Sequence, residues 1–331
     1  MAITAIQRVL THDYWKLAQD IVPGDILFDR LGRPVKVRLI QQYHAQNCYE
    51  VFLKDGLTVC GDANLQLPIE SEKYRKRTLE YKGKRKFTRP LDITPLKEMI
   101  GIPLTNKTNR LKFSIPTAGL LQFPTKDLPV PPFIFGFWLF NHQKCGDMTP
   151  TPGCSEFINN KFKDHGYKTK TTRRHSTNKE MSFVCSPTIQ SHLIPNIPNK
   201  IPNNYLFSSP EQRLELLSGI MHAKSRQYNQ KKDRFRFSNN NLVHVRQVQY
   251  LAESLGCKTS LESYHIHNSN LLNIWTKHKL MEQQTPKMVK VRQNWRLITK
   301  IQQIEPQLCV HIETDGEDST FLVGEGFIPV C

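Results

Sequence analysis

Three stretches of the chain combine cations with aromatic side chains in a way that suits a polyphosphate. Residues 73–89 hold nine basic residues, Lys73, Arg75, Lys76, Arg77, Lys82, Lys84, Arg85, Lys86 and Arg89, with Tyr74, Tyr81 and Phe87 among them. Lys and Arg neutralise phosphates and the aromatic rings supply packing anchors. A second run carries Lys168, Lys170, Arg173 and Arg174, and a third carries Arg226, Lys231, Lys232, Arg234 and Arg236. Within the third, Arg234-Phe235-Arg236-Phe237 alternates, so a strand there would turn both arginines to one face and both rings to the other. Any one run could equally be a solvated loop. The net charge of +17 favours the functional reading, because a soluble chain this basic generally meets a polyanion, nucleic acid ahead of acidic protein surfaces.

Other side chains bound the chemistry from outside. The cysteines are Cys48, Cys60, Cys145, Cys154, Cys185, Cys257, Cys309 and Cys331, with no C-x-x-C pair and no zinc-ligand spacing. Free thiols in a reducing cytosol are the expectation, without metal. Cys60 reads as a small buried hydrophobe, and Cys331 as either a reactive thiol or an inert one. His142 and His222 have the chemistry of a general base or a metal ligand; a hydrogen-bonded or solvated histidine is the plainer expectation. With 38% hydrophobic and 23% charged residues, wholesale disorder is excluded. No apolar run approaches the roughly 18 residues of a membrane span. Residues 1–20 lack the apolar stretch of a secretory signal, so a cytoplasmic location without membrane contact is expected.

The elements that must hold these residues fall into two kinds. Residues 20–70 read as β: Asp25-Ile-Leu-Phe-Asp29 and Pro34-Val-Lys-Val-Arg-Leu-Ile40 flank a turn at Arg30-Leu-Gly-Arg33. Cys48-Tyr-Glu-Val-Phe-Leu53 and Leu57-Thr-Val-Cys60 flank Asp55-Gly56, a strong hairpin signal. The last forty residues read as β again, with Gln307-Leu-Cys-Val-His-Ile-Glu313 and Thr320-Phe-Leu-Val323. Between them the pattern turns helical. Pro132-Phe-Ile-Phe-Gly-Phe-Trp-Leu-Phe140 begins with a Pro suited to a first turn. Ser209-Pro-Glu-Gln212 is a capping-box pattern, followed by a face of Leu214, Leu217, Ile220 and Met221. Residues 241–255 repeat the period through Leu242, Val245, Val248, Leu251, Ala252 and Leu255, and Gly256 supplies the stop. A β domain built from both ends of the chain and interrupted by an α/β insertion follows.

The ends resemble the Hint fold of inteins. The resemblance rests on Val22-Pro-Gly-Asp25, Gly32-Arg-Pro-Val35, Asp55-Gly56 and above all Asp318-Ser-Thr-Phe-Leu-Val-Gly-Glu-Gly-Phe-Ile-Pro329. The middle resembles a LAGLIDADG homing endonuclease, with one motif at Ile134-Phe-Gly-Phe-Trp-Leu-Phe-Asn-His142 and another at Leu217-Ser-Gly-Ile-Met-His-Ala-Lys-Ser225. The implied fold is α+β: an all-β Hint-like horseshoe over residues 1–100 plus 295–331, with an inserted pseudo-two-fold LAGLIDADG-like domain over 101–294. Gly136 and Gly219 occupy the third motif position, where a small residue lets the two motif helices approach closely. Two ordinary buried helices would carry the same glycines. The implied context is a phage-type intein, such as those in terminase genes.

The residues that do the chemistry in these families are missing. Splicing needs Cys or Ser at the first position, a block histidine and a final His-Asn pair. Here stand Met1-Ala2-Ile3, then Val59-Cys-Gly-Asp-Ala-Asn-Leu-Gln-Leu67 without His, then Gly326-Phe-Ile-Pro-Val-Cys331 without Asn. In the endonucleases an acid at the eighth motif position binds a divalent metal, because Mg²⁺ prefers charged oxygen ligands. The matching residues are Asn141 and Lys224, and an ammonium repels the cation. Nearby Asp147 and Asp233 lie past the motif ends. His142 and His222 neighbour the changed positions.

Three functions remain open on these residues. The leading one is a DNA-binding protein derived from an intein-borne homing endonuclease, without splicing or cleavage, clamping double-stranded DNA through the basic runs and Lys224. It would need no cofactor and would not be an enzyme. A second is a structural or interaction protein of a phage particle or packaging machine, with a phage protein as partner and the virion as an alternative location to the host cytoplasm. The third is an active Mg-dependent DNA endonuclease with non-standard metal ligands.

Overall fold

The turn and capping signals become the joints of the structure. The computed structural model describes residues 2–71, 92–141, 147–148, 155–167, 169–173, 181–185, 200–224, 228–229, 234–264, 269–276, 278, 280 and 295–331. They divide into a terminal unit, Met1–Gln122 with Gln293–Cys331, and a central unit, Phe123–Arg292. The terminal unit begins with β1 (Ile3–Thr4), β2 (Arg8–Leu10), β3 (Trp15–Leu17), β4 (Ile26–Phe28), β5 (Pro34–Ala45), β6 (Cys48–Leu53), β7 (Thr58–Asp62), β8 (Gln66–Ser71), β9 (Asp92–Pro95) and β10 (Phe113–Pro116). The central unit holds helices α1 (Pro132–Asn141), α2 (Ser155–Asp164), α3 (Asn203–Leu206), α4 (Pro210–Lys224) and α5 (Leu242–Ser254). Its strands are β11 (Asp147–Met148), β12 (Thr169–Arg173), β13 (Met181–Cys185), β14 (Tyr228–Asn229), β15 (Arg234–Asn239), β16 (Lys258–Tyr264) and β17 (Ser269–Trp275). The chain returns to the terminal unit as β18 (Trp295–Ile304), β19 (Gln307–Thr314), β20 (Phe321–Val323) and β21 (Ile328–Val330).

Strands from both ends of the chain interleave in the terminal unit. One sheet runs β4-β5-β19-β1-β7-β6-β18-β10-β8-β9 and a second runs β21-β20-β2-β3, with antiparallel pairing throughout. The long β5–β19 ladder pairs Ala45 with Gln307 and Val37 with Thr314. Both hairpins expected from the N-terminal turn signals form, β4–β5 and β6–β7. Gly56 sits at φ +84°, which is the conformation its Asp-Gly turn requires. Val51, Val59, Ile115, Ile298, Val310 and Val323 meet in the core, so neither chain segment buries its apolar face alone. Ion pairs tie the same segments: Arg30 Nε to Asp318 Oδ2 at 2.5 Å, and Arg296 to Asp55, with Arg296 Nη2 also donating to the Gly326 carbonyl at 2.8 Å. β18 falls within the last forty residues that read as β, although the sequence marks no individual strand there.

The central unit repeats one plan. Helix, strand, helix and two strands follow each other as α1, β11, α2, β12, β13, and again as α4, β15, α5, β16, β17, with the short β14 between α4 and β15. The sheets have the same order, β11-β13-β12 and β14-β15-β17-β16. Every residue from Phe133 to Phe140 is buried, so α1 is a central helix without a solvent face. Ten residues do not cross a bilayer, and no described helix is long and apolar enough to do so.

The expected caps are present. Pro210 opens α4, the Gln212 amide donates to Ser209 Oγ (3.4 Å) and the Ser209 amide donates to Gln212 Oε1 (3.2 Å). Asn241 caps α5 through Val243 N–H at 2.9 Å. At its other end Gly256, at φ +72°, donates to Glu253 O, and Cys257 donates to Ala252 O, the paired bonds of a Schellman stop.

Two expected faces need correction. On α4 the buried positions are Arg213, Leu216, Leu217, Gly219, Ile220, Met221 and His222, and Leu214 is only half-buried. On α5, Leu242 is 47% exposed: it stands in the first turn, ahead of the sheet that covers Val245 and Val248.

Candidate nucleic-acid interface

Four aromatic and aliphatic side chains create the face that could bind a polyanion, by occupying the opposite one. Phe235 and Phe237 of β15 and Leu272 and Ile274 of β17 are fully buried. Strand alternation then turns Arg234 and Arg236 to the other side, where both are half-buried. Register sets Arg234 beside Trp275 and Trp275 beside Lys258; the next row is Arg236, Asn273 and Ser260. Two arginines, a lysine and an indole thus share one sheet face. Phe237 meets Phe140 edge-on at 5.3 Å, and this contact carries the sheet to the last turn of α1, just before Asn141.

Asn273, Trp275, Lys258 and Glu262 were missed in the sequence, and only register reveals them. Asn273 is fully buried and its Nδ2 donates to Glu262 Oε1 at 2.9 Å. An acid therefore stands at one edge of an otherwise basic face. Only a polar residue at an in-register position of a half-buried strand could have signalled this.

The two motif helices meet backbone to backbone at their glycines. A methyl group at Gly136 would lie 2.5 Å from the Leu216 carbonyl oxygen. One at Gly219 would collide with the Phe133 carbonyl oxygen and lie 2.9 Å from Phe137 N. Each helix ends on its eighth motif residue, Asn141 for α1 and Lys224 for α4. Asn141 is half-buried and Lys224 is exposed. A cation at a helix C-terminus complements the negative end of the macrodipole, so Lys224 is well placed without any metal. An amide and an ammonium are a poor donor set for Mg²⁺, which takes oxygen ligands and favours carboxylates. The metal implied by the resemblance therefore does not fit these two helix ends. Among the described residues, no three His, Cys, Asp or Glu side chains gather as metal ligands.

His222 is fully buried, so it is hydrogen-bonded and not solvated. Its Nδ1 lies 2.8 Å from the Ser218 carbonyl oxygen, and because that oxygen only accepts, Nδ1 carries the proton. Phe133 and Phe157 flank the ring at 5.5 and 5.0 Å. A histidine walled by rings within the packed helices has the surroundings of a core residue. Arg213 is a fully buried cation of the central unit. Nε donates to Ser208 O (2.8 Å), Nη1 donates to Ser254 O (3.0 Å) and Oγ (2.5 Å), and Phe123 lies 5.0 Å from the guanidinium. Burial lowers its pKa to about 10.

Of the other basic residues, Lys170 and Arg173 occupy register positions in β12 opposite Val184 and Met181. Lys73, Arg75, Lys76, Arg77, Lys82, Lys84, Arg85, Lys86, Arg89, Lys168, Arg174, Arg226, Lys231, Lys232 and His142 lie outside the described residues.

The terminal unit contains a second polar cluster, at the first strand. Asp62 is buried and accepts from the Ala2 amide at 3.0 Å and from the Tyr43 hydroxyl at 2.7 Å. Burial, the hydrogen bond and the carboxylate charge all raise the Tyr43 pKa, so the phenol stays a donor. Cys60 is half-buried rather than buried, and desolvation pushes its thiol up to about 11; Cys331 is buried and pushed up to about 12. Both thiols are protonated at neutral pH, which leaves neither as a ready nucleophile.

No family model matches the chain. It is 25% identical over 341 aligned residues to the replicative DNA helicase DnaB of Mycobacterium intracellulare, a match that takes in 95% of this chain. The chain spans about half, 55%, of that relative's length. Among solved structures, the MchDnaB-1 intein is 28% identical over 20% of this chain and 53% of its own, with a TM-score of 0.20. The homing endonuclease I-DmoI in complex with DNA and Mn is 13% identical over 44% of this chain and 89% of its own, with a TM-score of 0.31. The gp41-1 intein is 16% identical over 34% and 73%, with a TM-score of 0.23. The likeness to inteins and homing endonucleases is partial and weak, and TM-scores at this level carry no functional argument. In plain terms, the chain is a mixed α+β protein of antiparallel sheets with a distant helicase relative.

Proposed function

We propose that the central unit is a duplex-DNA-binding module of the LAGLIDADG type, carried by a Hint-like β unit, and that it binds DNA without cutting it. The observation that carries this reading is the face of β15, β16 and β17, where Arg234, Arg236, Trp275 and Lys258 lie together above rings packed on α1. The repeated order of helices and strands supports a pseudo-two-fold unit, and the net charge of +17 supports a polyanionic partner. The DNA helicase relative, matched along nearly the whole chain, supports a DNA-associated role. Its motor activity is not carried over, because the sequence contains no G-x-x-x-x-G-K-[ST] phosphate loop. Absence of cleavage rests on the amide and ammonium at the ends of α1 and α4. Absence of splicing rests on residues 59–67, which hold no histidine to activate an acyl shift, and on the protonated thiols of Cys60 and Cys331. In this reading the interleaved sheets of the terminal unit are a Hint-like horseshoe.

Fluorescence anisotropy with labelled duplex DNA tests it. Affinity should fall linearly on a log–log salt plot, with about 0.9 units of slope per phosphate contacted. Arg234→Ala with Arg236→Ala should weaken binding and reduce that slope by about two units. Salt-insensitive binding, or none at about 50 mM salt, would remove the DNA reading. Cutting of DNA by the unaltered protein in Mg²⁺ would remove the claim of lost cleavage. An intact mass matching the sequence is expected of the purified chain.

A further inference from the structure

Two thiols outside this reading sit together in the terminal unit. Cys48 opens β6, Cys309 lies within β19, and their sulfurs are 3.8 Å apart although 261 positions separate them in sequence. Both side chains are fully buried. With Ala2 and Ala45 they form a small apolar cluster of their own, against which Ile304 packs. Register brings four neighbours to this point: Cys309 faces Thr4 of β1 and Tyr43 of β5, and Cys48 faces Asp62 of β7 and Ile304 of β18. The cluster therefore lies beside the Asp62 carboxylate that holds the Ala2 amide.

We propose that Cys48 and Cys309 are a redox-sensitive pair that closes to a disulfide when the chain meets a low-molecular-weight disulfide, stapling the N-terminal and C-terminal segments of the terminal unit. A disulfide bond is about 2.05 Å long, so the sulfurs must approach by about 1.8 Å, a distance within reach of side-chain rotation and a small strand adjustment. The thiolate of one cysteine attacks a sulfur of the reagent RSSR, whose S–S bond breaks and releases RS⁻, which takes up the proton. The thiolate of the other cysteine then attacks the protein sulfur of the mixed disulfide and releases the second RS⁻. In sum, two protein thiols and RSSR give one protein disulfide and two RSH; the cysteines are oxidised and the reagent is reduced by two electrons.

Burial shapes this reaction in two ways. Desolvation and the neighbouring thiol raise the Cys309 pKa, so thiolate is scarce and the first attack waits for a local opening of the strands. Once the strands close again, the apolar cluster offers no space for the reagent's half, and the mixed disulfide resolves onto the partner sulfur. Under a reducing poise both thiols stay free. Because the bond would close a loop that spans the whole central unit, its effect on the unfolded chain is large.

The test oxidises the full chain with oxidised glutathione, blocks remaining thiols under denaturing conditions and digests with trypsin and a Glu-specific protease. Residues 39–50 and residues 301–313 each contain one cysteine, Cys48 and Cys309. The expected product joins these two peptides, lacks two hydrogens and separates on reduction. Cys48→Ser and Cys309→Ser should each abolish it. The melting midpoint of the oxidised protein should stand several degrees above that of the reduced protein, with no such difference in either variant. Where a serine variant fails to fold, the wild-type chain still decides: low urea should speed closure by favouring the opened strands. Full alkylation of Cys48 and Cys309 after oxidation, a stable glutathione adduct on either, or cross-links only between other cysteines would overturn the proposal.

Discussion

Gly219 shows what a single hydrogen atom in place of a side chain can hold together. Its absent Cβ lets the Phe133 carbonyl of α1 lie against α4. In Gly219→Ala, helix propensity returns about 1 kcal/mol while overpacking costs ~1–3 kcal/mol or more. The collision prevails because it is with backbone, and α1 is buried on every side. A net loss of stability in urea titration is expected, and equal or greater stability would show that the helices yield. Cys257 gives a second prediction at this scale. It is buried behind α5, and desolvation raises its thiol from 9.0 to about 12. A raised acid is neutral when folded but ionises when unfolded, so its stabilising contribution is complete below pH 9 and is lost as pH rises towards 12. The slope is about 1.4 kcal/mol per pH unit for one such group. Unfolding free energy should fall across this window, less steeply in Cys257→Ala.

At the scale of elements, the caps decide where helices begin and packing decides which face turns inward. The reciprocal Ser209–Gln212 bonds satisfy two amides at the start of α4, so Ser209→Ala should cost about 1 kcal/mol. A loss below a few tenths, read from urea midpoints, would mean that packing alone sets the helix start. Phe237 joins β15 to α1, and Phe237→Ala should cost ~3–5 kcal/mol through the lost ring and the cavity left behind. The ends of α1 and α4 carry a contrasting prediction. Asn141→Asp with Lys224→Asp replaces an amide and a cation by two carboxylates, and Mg²⁺ affinity measured by calorimetry should rise over that of the unaltered chain. Tight Mg²⁺ binding by the unaltered chain that both substitutions leave unchanged would place the metal elsewhere.

For the whole molecule, the interleaving of both chain ends is the main architectural fact. β19 separates β5 from β1 in the first sheet, and β20 covers β2 in the second, so removing the segment from Gln307 onward would open three strand edges at once. A chain ending before Gln307 should be insoluble or lose its cooperative transition, whereas the full chain should keep one for this unit. A soluble, cooperatively folding truncation would show that β5 and β1 find other partners.

Local physics made much of this legible in advance. Asp55-Gly56 encodes a hairpin because Gly accepts positive φ, Ser209-Pro-Glu-Gln212 encodes a helix start because its side chains satisfy orphaned amides, and Arg234-Phe235-Arg236-Phe237 encodes a two-faced strand by alternation alone. Each of these depends on neighbours a few residues away. The features that escaped depend on partners far along the chain. Arg213 is buried because Ser254, forty-one residues away, offers a carbonyl and a hydroxyl to its guanidinium. Trp275 and Lys258 join Arg234 only through strand register, and Cys48 meets Cys309 only because β5 and β19 pair. Periodicity marks which side of an element is apolar; which distant side chain covers it, and what polar groups that brings together, is decided by tertiary pairing, because hydrogen bonds and buried charges are satisfied by neighbours in space.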